Sequence, residues 1–247
     1  MGTITYNGVS TDSLGIRVWT FPAYEYPEKD VTAVHIPGRN GDVLIDTGAY
    51  KNVTRTYSIS IAQVKRNMSY RDMAHTISSW LHSADGYARL EDSYEPGIFR
   101  LAAYSEQNNV ENILNEAGTA SISFNCKPQR YLVEGEQVLT INSSGAYIKN
   151  KTSYESLPLI KITMSGASST LSIGAYEVQI VNLSAGSVLY VDSELKDSYL
   201  YSGNNIQNGN NKTIMPSGFP RLVPGNNRIN WTSGISKIEV TPRWWTI

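Results

Sequence analysis

From residue 53 to 61 the chain alternates: Val53, Tyr57, Ile59 and Ile61 stand on one parity and Thr54, Thr56, Ser58 and Ser60 on the other. Period-two spacing is that of a strand with one face buried. The pattern recurs at Ala120, Ile122, Phe124 and Cys126 and in the runs 157–164, 176–183, 187–195, 227–231 and 237–240, with Gly, Asn, Asp and Pro between them. The chain therefore reads as mainly β. Ile4, Tyr6 and Val9 around Asn7-Gly8 predict an opening hairpin, because Asn-Gly tolerates the positive φ angles of a tight turn.

One stretch departs from this period. In residues 69–83, SYRDMAHTISSWLHS, Tyr70, Met73, Ala74, Ile77, Trp80 and Leu81 fall three and four apart, which predicts one amphipathic helix. Ser69 is placed to cap it, Asp72 favours its positive end, Met68 and Met73 have staple spacing, and Asp85-Gly86 stops it. Beyond about residue 130 no second such stripe occurs, and turn signals come about every ten residues, as in a β-sandwich. The expected division is 1–130, β-rich with the helix, and 131–247, a sandwich. The stretch 201–213, almost all Ser, Gly, Asn and Gln, is expected to be a mobile loop.

Several functions are disfavoured. A net charge of −1, with 17% charged residues, provides no basic field for nucleic acid or an anionic membrane. The start MGTITYNGVS lacks the basic and apolar regions of a signal peptide, and no window suits a membrane span, so a soluble protein made in the cytoplasm is expected. Cys126 is the one cysteine, which excludes an internal disulfide framework or cysteine-based zinc, and no cofactor or metal is expected. His75 and His82 stand seven apart on the helix, about 10 Å of rise, too far to share a metal unaided. Asp42 with Asp46, Glu91 with Asp92, and Asp192 with Glu194 are the carboxylate pairs that a glycoside hydrolase would need, and their expected place is on solvated faces and turns. No catalytic residue is assigned.

HIPGRNGDVLIDTGAY, residues 35–50, has the glycines and arginine of a phosphate loop. A P-loop requires Lys and then Ser or Thr after its last glycine; here Asp42 follows Gly41, and Val43-Leu44-Ile45 reads as a strand. The stretch is instead a shaped turn, with Pro37 fixing one φ, Gly38 and Gly41 taking positive φ, and Asp42 expected to pair with Arg39. Trp231, Trp244 and Trp245 form a candidate aromatic platform for a glycan, weighed against packing or interface roles.

In their order, Ile36-Pro37-Gly38-Arg39-Asn40-Gly41-Asp42 with Tyr50, the single helix, Phe124-Asn-Cys126-Lys-Pro128-Gln-Arg-Tyr131, Leu157-Pro158, the stretch from Phe219 to Asn226 and Pro242-Arg243-Trp244-Trp245 resemble the distal tail proteins of long, non-contractile-tailed bacteriophages. The resemblance covers nearly the full length. It implies an N-terminal domain that closes into a hexameric ring and a C-terminal galectin-like β-sandwich. It further implies a virion hub joining the tail tube protein to a tail-associated lysin or fibre and to receptor-binding or baseplate proteins, with DNA only as passing cargo. The candidate ring contacts are the loop 38–48, with Arg39 and Asp42, and the polar segment 105–118, with Ile113 and Leu114. The alternative is a glycan-binding module of a host-recognition device.

Overall fold

The computed structural model describes residues 2–19, 21–23, 25–61, 69–104 and 119–247. The chain divides into two compact units, Met1–Arg130 with Ile247, and Tyr131–Thr246. The first contains β1 (Ile4–Tyr6), β2 (Val9–Ser10), β3 (Ile16–Val18), β4 (Lys29–Val34), β5 (Val43–Tyr50), β6 (Val53–Ile61), α1 (Tyr70–Leu81), β7 (Ala88–Asp92) and β8 (Ile98–Ala103). The long β9 (Thr119–Leu132) runs through the division. Asn7 (φ 48) and Gly8 (φ 78) join β1 to β2, with Tyr6 opposite Val9, as the Asn-Gly pair predicts.

The main sheet of the first unit has the order β2-β1-β7-β8-β9-β6-β3. Its buried face and α1 share one core: Met73, Ile77, Trp80 and Leu81 pack with Tyr6, Ile59, Ile122 and Phe124. The Trp80 indole N–H donates to the Tyr6 carbonyl (3.2 Å), and its ring meets Tyr6 edge-on. Fully burying each large apolar side chain contributes about 1.5–3 kcal/mol, so the stripe on α1 fixes the helix to the sheet. Ser69 caps α1 by accepting from the Asp72 amide (3.1 Å). Met68, the expected staple partner, lies outside the described residues, and α1 ends at Leu81, before Asp85-Gly86.

The second unit is a sandwich of β10 (Leu139–Ile141), β11 (Ala146–Asn150), β12 (Leu159–Met164), β13 (Ser169–Ile173), β14 (Tyr176–Ile180), β15 (Val188–Asp192), β16 (Asp197–Ser202), β17 (Asn205–Asn208), β18 (Thr213–Ile214), β19 (Gly225–Trp231) and β20 (Ile235–Thr241). The C-terminal β21 (Trp245–Thr246) pairs with β9. The order is β10-β20-β12-β15-β16-β17 in one sheet and β11-β19-β13-β14-β18 in the other. Ile160, Ile162, Leu189 and Val240 from the first and Leu171, Ile173, Val178 and Ile229 from the second enter a single core. The stretch 201–213 is not a loop throughout: it completes β16 and forms the edge strand β17 and a short 3-10 turn at Asn210–Lys212. Hydrogen bonding orders it in place of apolar burial. The Asn210 side chain donates to Asp197 (2.7 Å) and accepts from the Ser198 amide (2.9 Å).

Candidate subunit interface

Among the described residues β4 and β5 pair only with each other, as a two-stranded sheet separate from the rest. Register places Val34 opposite Val43, Ala33 opposite Leu44 and Thr32 opposite Ile45. Because directly paired residues share a face, Val34, Val43 and Ile45 line one side of this arm, and Val31, Ala33 and Leu44 line the other. Both sides carry aliphatic groups. Leu44 is 68% exposed and Ile45 54%. A two-stranded hairpin is at best marginally stable in water without a surface to cover it.

The shape of the arm follows from a few residues. At its tip the Arg39 amide donates to the Ile36 carbonyl (3.2 Å), with Pro37 and Gly38 (φ 81) between them, the residue pattern of a type II turn. Gly41 also has positive φ (79), as the sequence predicts. The expected Arg39–Asp42 pair is replaced: Asp42 lies 3.3 Å from His35 Nδ1, across the mouth of the turn, and Arg39 makes no ion pair among the described residues. The His35 imidazole is the nearer partner because the strand pair brings the two ends of the turn together, while Arg39 sits at its apex. Lower down, the register slips between Lys29 and Val31. There the Gly48 amide donates to Asp46 Oδ1 (2.8 Å), with Gly48 at φ 74, and the Thr47 hydroxyl donates to the Asp30 carbonyl (2.9 Å). The Gly48 hydrogen bond holds the Asp46 carboxyl below the usual carboxylate range, assisted by Lys29. At the root, the Lys51 amide donates to the Glu28 carbonyl (2.8 Å), and Lys51 Nζ lies 3.3 Å from Glu28 Oε1.

A buried charge cluster anchors the segment leading to the arm. Arg55 stands on the otherwise apolar parity of β6 and is 2% exposed. It pairs with Asp92 (3.1 Å) and Glu95 (3.3 Å), and its Nη1 donates to the Ala23 carbonyl (2.8 Å). The Tyr57 hydroxyl donates to Asp92 (2.6 Å), and Arg100 and Arg130 both pair with Glu95. Asp92, expected on a solvated face, is buried, and the partners that explain it are distant in sequence. In the second unit Asp192 is likewise buried, and Arg243 grips it with two hydrogen bonds (2.7 and 2.9 Å). Burial opposes its charge, but the Arg243 contact and the Leu195 and Glu194 amides outweigh this and hold its carboxyl low. A general acid requires the opposite shift.

The structure separates the tryptophan candidates by burial. Trp244 is 6% exposed and belongs to the sandwich core, so it presents no ring face to a glycan. Trp231 is half-buried, with its indole N–H on the Ile235 carbonyl (3.2 Å). Trp245 donates to the Glu155 carbonyl (2.8 Å) and stacks on Tyr154. Ile113 and Leu114 lie outside the described residues. Leu44 and Ile45 lie within the expected contact loop 38–48, whereas Trp19 and Phe21, 53% and 61% exposed, carry no pattern in the sequence that marks them as surface residues.

Comparison with known proteins agrees with this architecture. Residues 12–126 match the family model described as phage tail protein RIFT-related domain. No curated protein sequence matches the chain. Among solved structures, that of the phage SPP1 Dit protein, a paradigm of the hub adsorption apparatus in phages infecting Gram-positive bacteria, aligns over 100% of both chains at 14% identity and a TM-score of 0.76. A chain of the phage P2 baseplate in its activated conformation with Ca aligns over 97% of both chains at 8% identity and a TM-score of 0.53. Over residues 12–126 the chain is similar to the phage tail protein RIFT-related domain family, and over its whole length it has the fold of the SPP1 distal tail protein.

Proposed function

We propose that the protein is a structural hub of a phage tail tip, closing into a homohexameric ring through its first unit. The observation that carries this reading is the arm, a hairpin that among the described residues pairs only with itself and leaves Val34, Leu44 and Ile45 exposed. A contact between an arm and a different surface of the next copy is heterologous, and such contacts build rings when the rotation closes. Arg39, unpaired at the exposed tip among the described residues, and Asp42 beside it are the charged contacts of the arm. The ring joins the tail tube protein to a tail-associated lysin or fibre and to receptor-binding or baseplate proteins. With a net charge of −1 the chain lacks the excess of cations that would hold passing DNA by its phosphates. Native mass spectrometry at micromolar concentration is expected to give a hexamer, and Arg39→Glu to weaken it at least tenfold with the subunit still folded. Monomers alone would overturn the reading, and an intact hexamer with Arg39→Glu would remove Arg39 from the contact.

A second reading, glycan binding by the sandwich, has support from tyrosines rather than tryptophans. On the outer face of the six-stranded sheet, Tyr190 and Tyr199 are cross-strand partners with parallel rings 5.2 Å apart, and Tyr201, 51% exposed, stands edge-on to both. Lys161 and Asn208 flank the pair in register.

A further inference from the structure

The arm requires an acceptor, and in a ring of identical chains the same chain must carry it. Elsewhere on the first unit, Trp19 and Phe21 leave more than half of their surface in water, two large aromatics within three residues. They follow β3, the last strand in the order of the main sheet among the described residues.

Their exposure is not looseness. The Trp19 amide donates to the Ser58 carbonyl (3.1 Å), and its indole N–H donates to the Ser60 hydroxyl. Phe21 rests edge-on against Tyr94, with ring centroids 5.0 Å apart. The Tyr94 amide is in turn held by Asp92 (3.0 Å), a member of the buried charge cluster. Two residues beyond Phe21, Arg55 holds the Ala23 carbonyl. The result is a fixed apolar ledge. Rigid aromatics of this kind anchor interfaces, because little side-chain entropy is lost when they are covered.

We propose that the Trp19–Phe21 ledge is the acceptor for the arm of a second copy of this chain, receiving the side of the hairpin that carries Leu44. The proposal rests on the ring reading. Aliphatic arm and aromatic ledge are two different surfaces of one unit, as a heterologous contact requires. On that side of the arm the charges near Leu44 are already paired, Asp46 with Lys29 (3.4 Å), and exposed enough to stay at the rim of the contact, where they escape the desolvation penalty of a buried ion pair.

The test uses complementation between two defective full-length chains. Leu44→Lys spoils the arm and leaves the ledge; Phe21→Lys spoils the ledge and leaves the arm. Each alone is expected to run as a monomer in native mass spectrometry and to keep the far-ultraviolet circular dichroism of a folded chain, since both side chains are exposed. An equimolar mixture is expected to give heterodimers and nothing larger, because one intact arm meets one intact ledge and the spoiled pair blocks closure. The milder Phe21→Ala is expected to weaken the wild-type oligomer at least tenfold. If wild type assembles but the mixture stays monomeric, or Phe21→Lys still forms the full ring, the ledge is not the acceptor. If wild type itself never assembles, the ring reading fails first and the pairing with it.

Discussion

Asp92 shows how much one buried side chain can organise. Its carboxylate accepts from Arg55, from the Tyr57 hydroxyl and from the Tyr94 and Glu95 amides. Asp92→Ala would leave Arg55 charged and short of its partner in a nearly dry site, and breaking such a pair costs about 3–5 kcal/mol. Urea unfolding is expected to show a loss of that order for the transition of the first unit, with Asp92→Asn losing less because it keeps an acceptor. An unchanged midpoint would show the pair to be solvated. Nothing local in the sequence announces this role. Arg55 occupies the buried parity of an otherwise apolar run, and that misfit is the only trace of the cluster in the sequence. Cys126, by contrast, is legible as a small apolar strand residue: it is wholly buried, and burial pushes its thiol up to about 12.

At the scale of elements, legibility followed the degree to which each segment buries one face. The helix and the opening hairpin were readable because their caps, stripes and turn residues are local. β17 was not: all four of its residues are exposed, so no alternation marks it, and side-chain amides hold the adjoining turn. β4 shows no alternation for a related reason, since among the described residues neither face of the arm is packed on the core. The bulge in β5 gives the arm a separable test. Gly48 lies in the left-handed region, which costs a side-chain-bearing residue roughly 1–2 kcal/mol. Gly48→Val is expected to speed amide exchange in β4 and β5 and to weaken assembly, while the global unfolding free energy of the dissociated subunit stays within about 0.5 kcal/mol. A matching loss in that global free energy would show that the arm and the core unfold together.

For the whole molecule, composition excluded broad classes but could not say which aromatics reach the surface. Trp244 looked like a platform residue and is core, while the tyrosine face was invisible because Tyr190, Tyr199 and Tyr201 converge only through strand pairing. If that face takes a sugar ring, a glycan array probed with the full chain is expected to show binding that Tyr201→Ala reduces at least tenfold, with the oligomer unchanged. Binding that survives Tyr201→Ala would place any glycan site elsewhere. The root of the arm, where Lys51 clasps Glu28, has a further consequence. A chain that offers a donor to one neighbour and an acceptor to another can grow without limit, and only the angle at which the donor leaves its base returns the last subunit to the first. In the proposed ring that clasp lies where the arm leaves its base, so a change of angle there would be expected to give a filament in place of a closed collar, with every individual contact still satisfied.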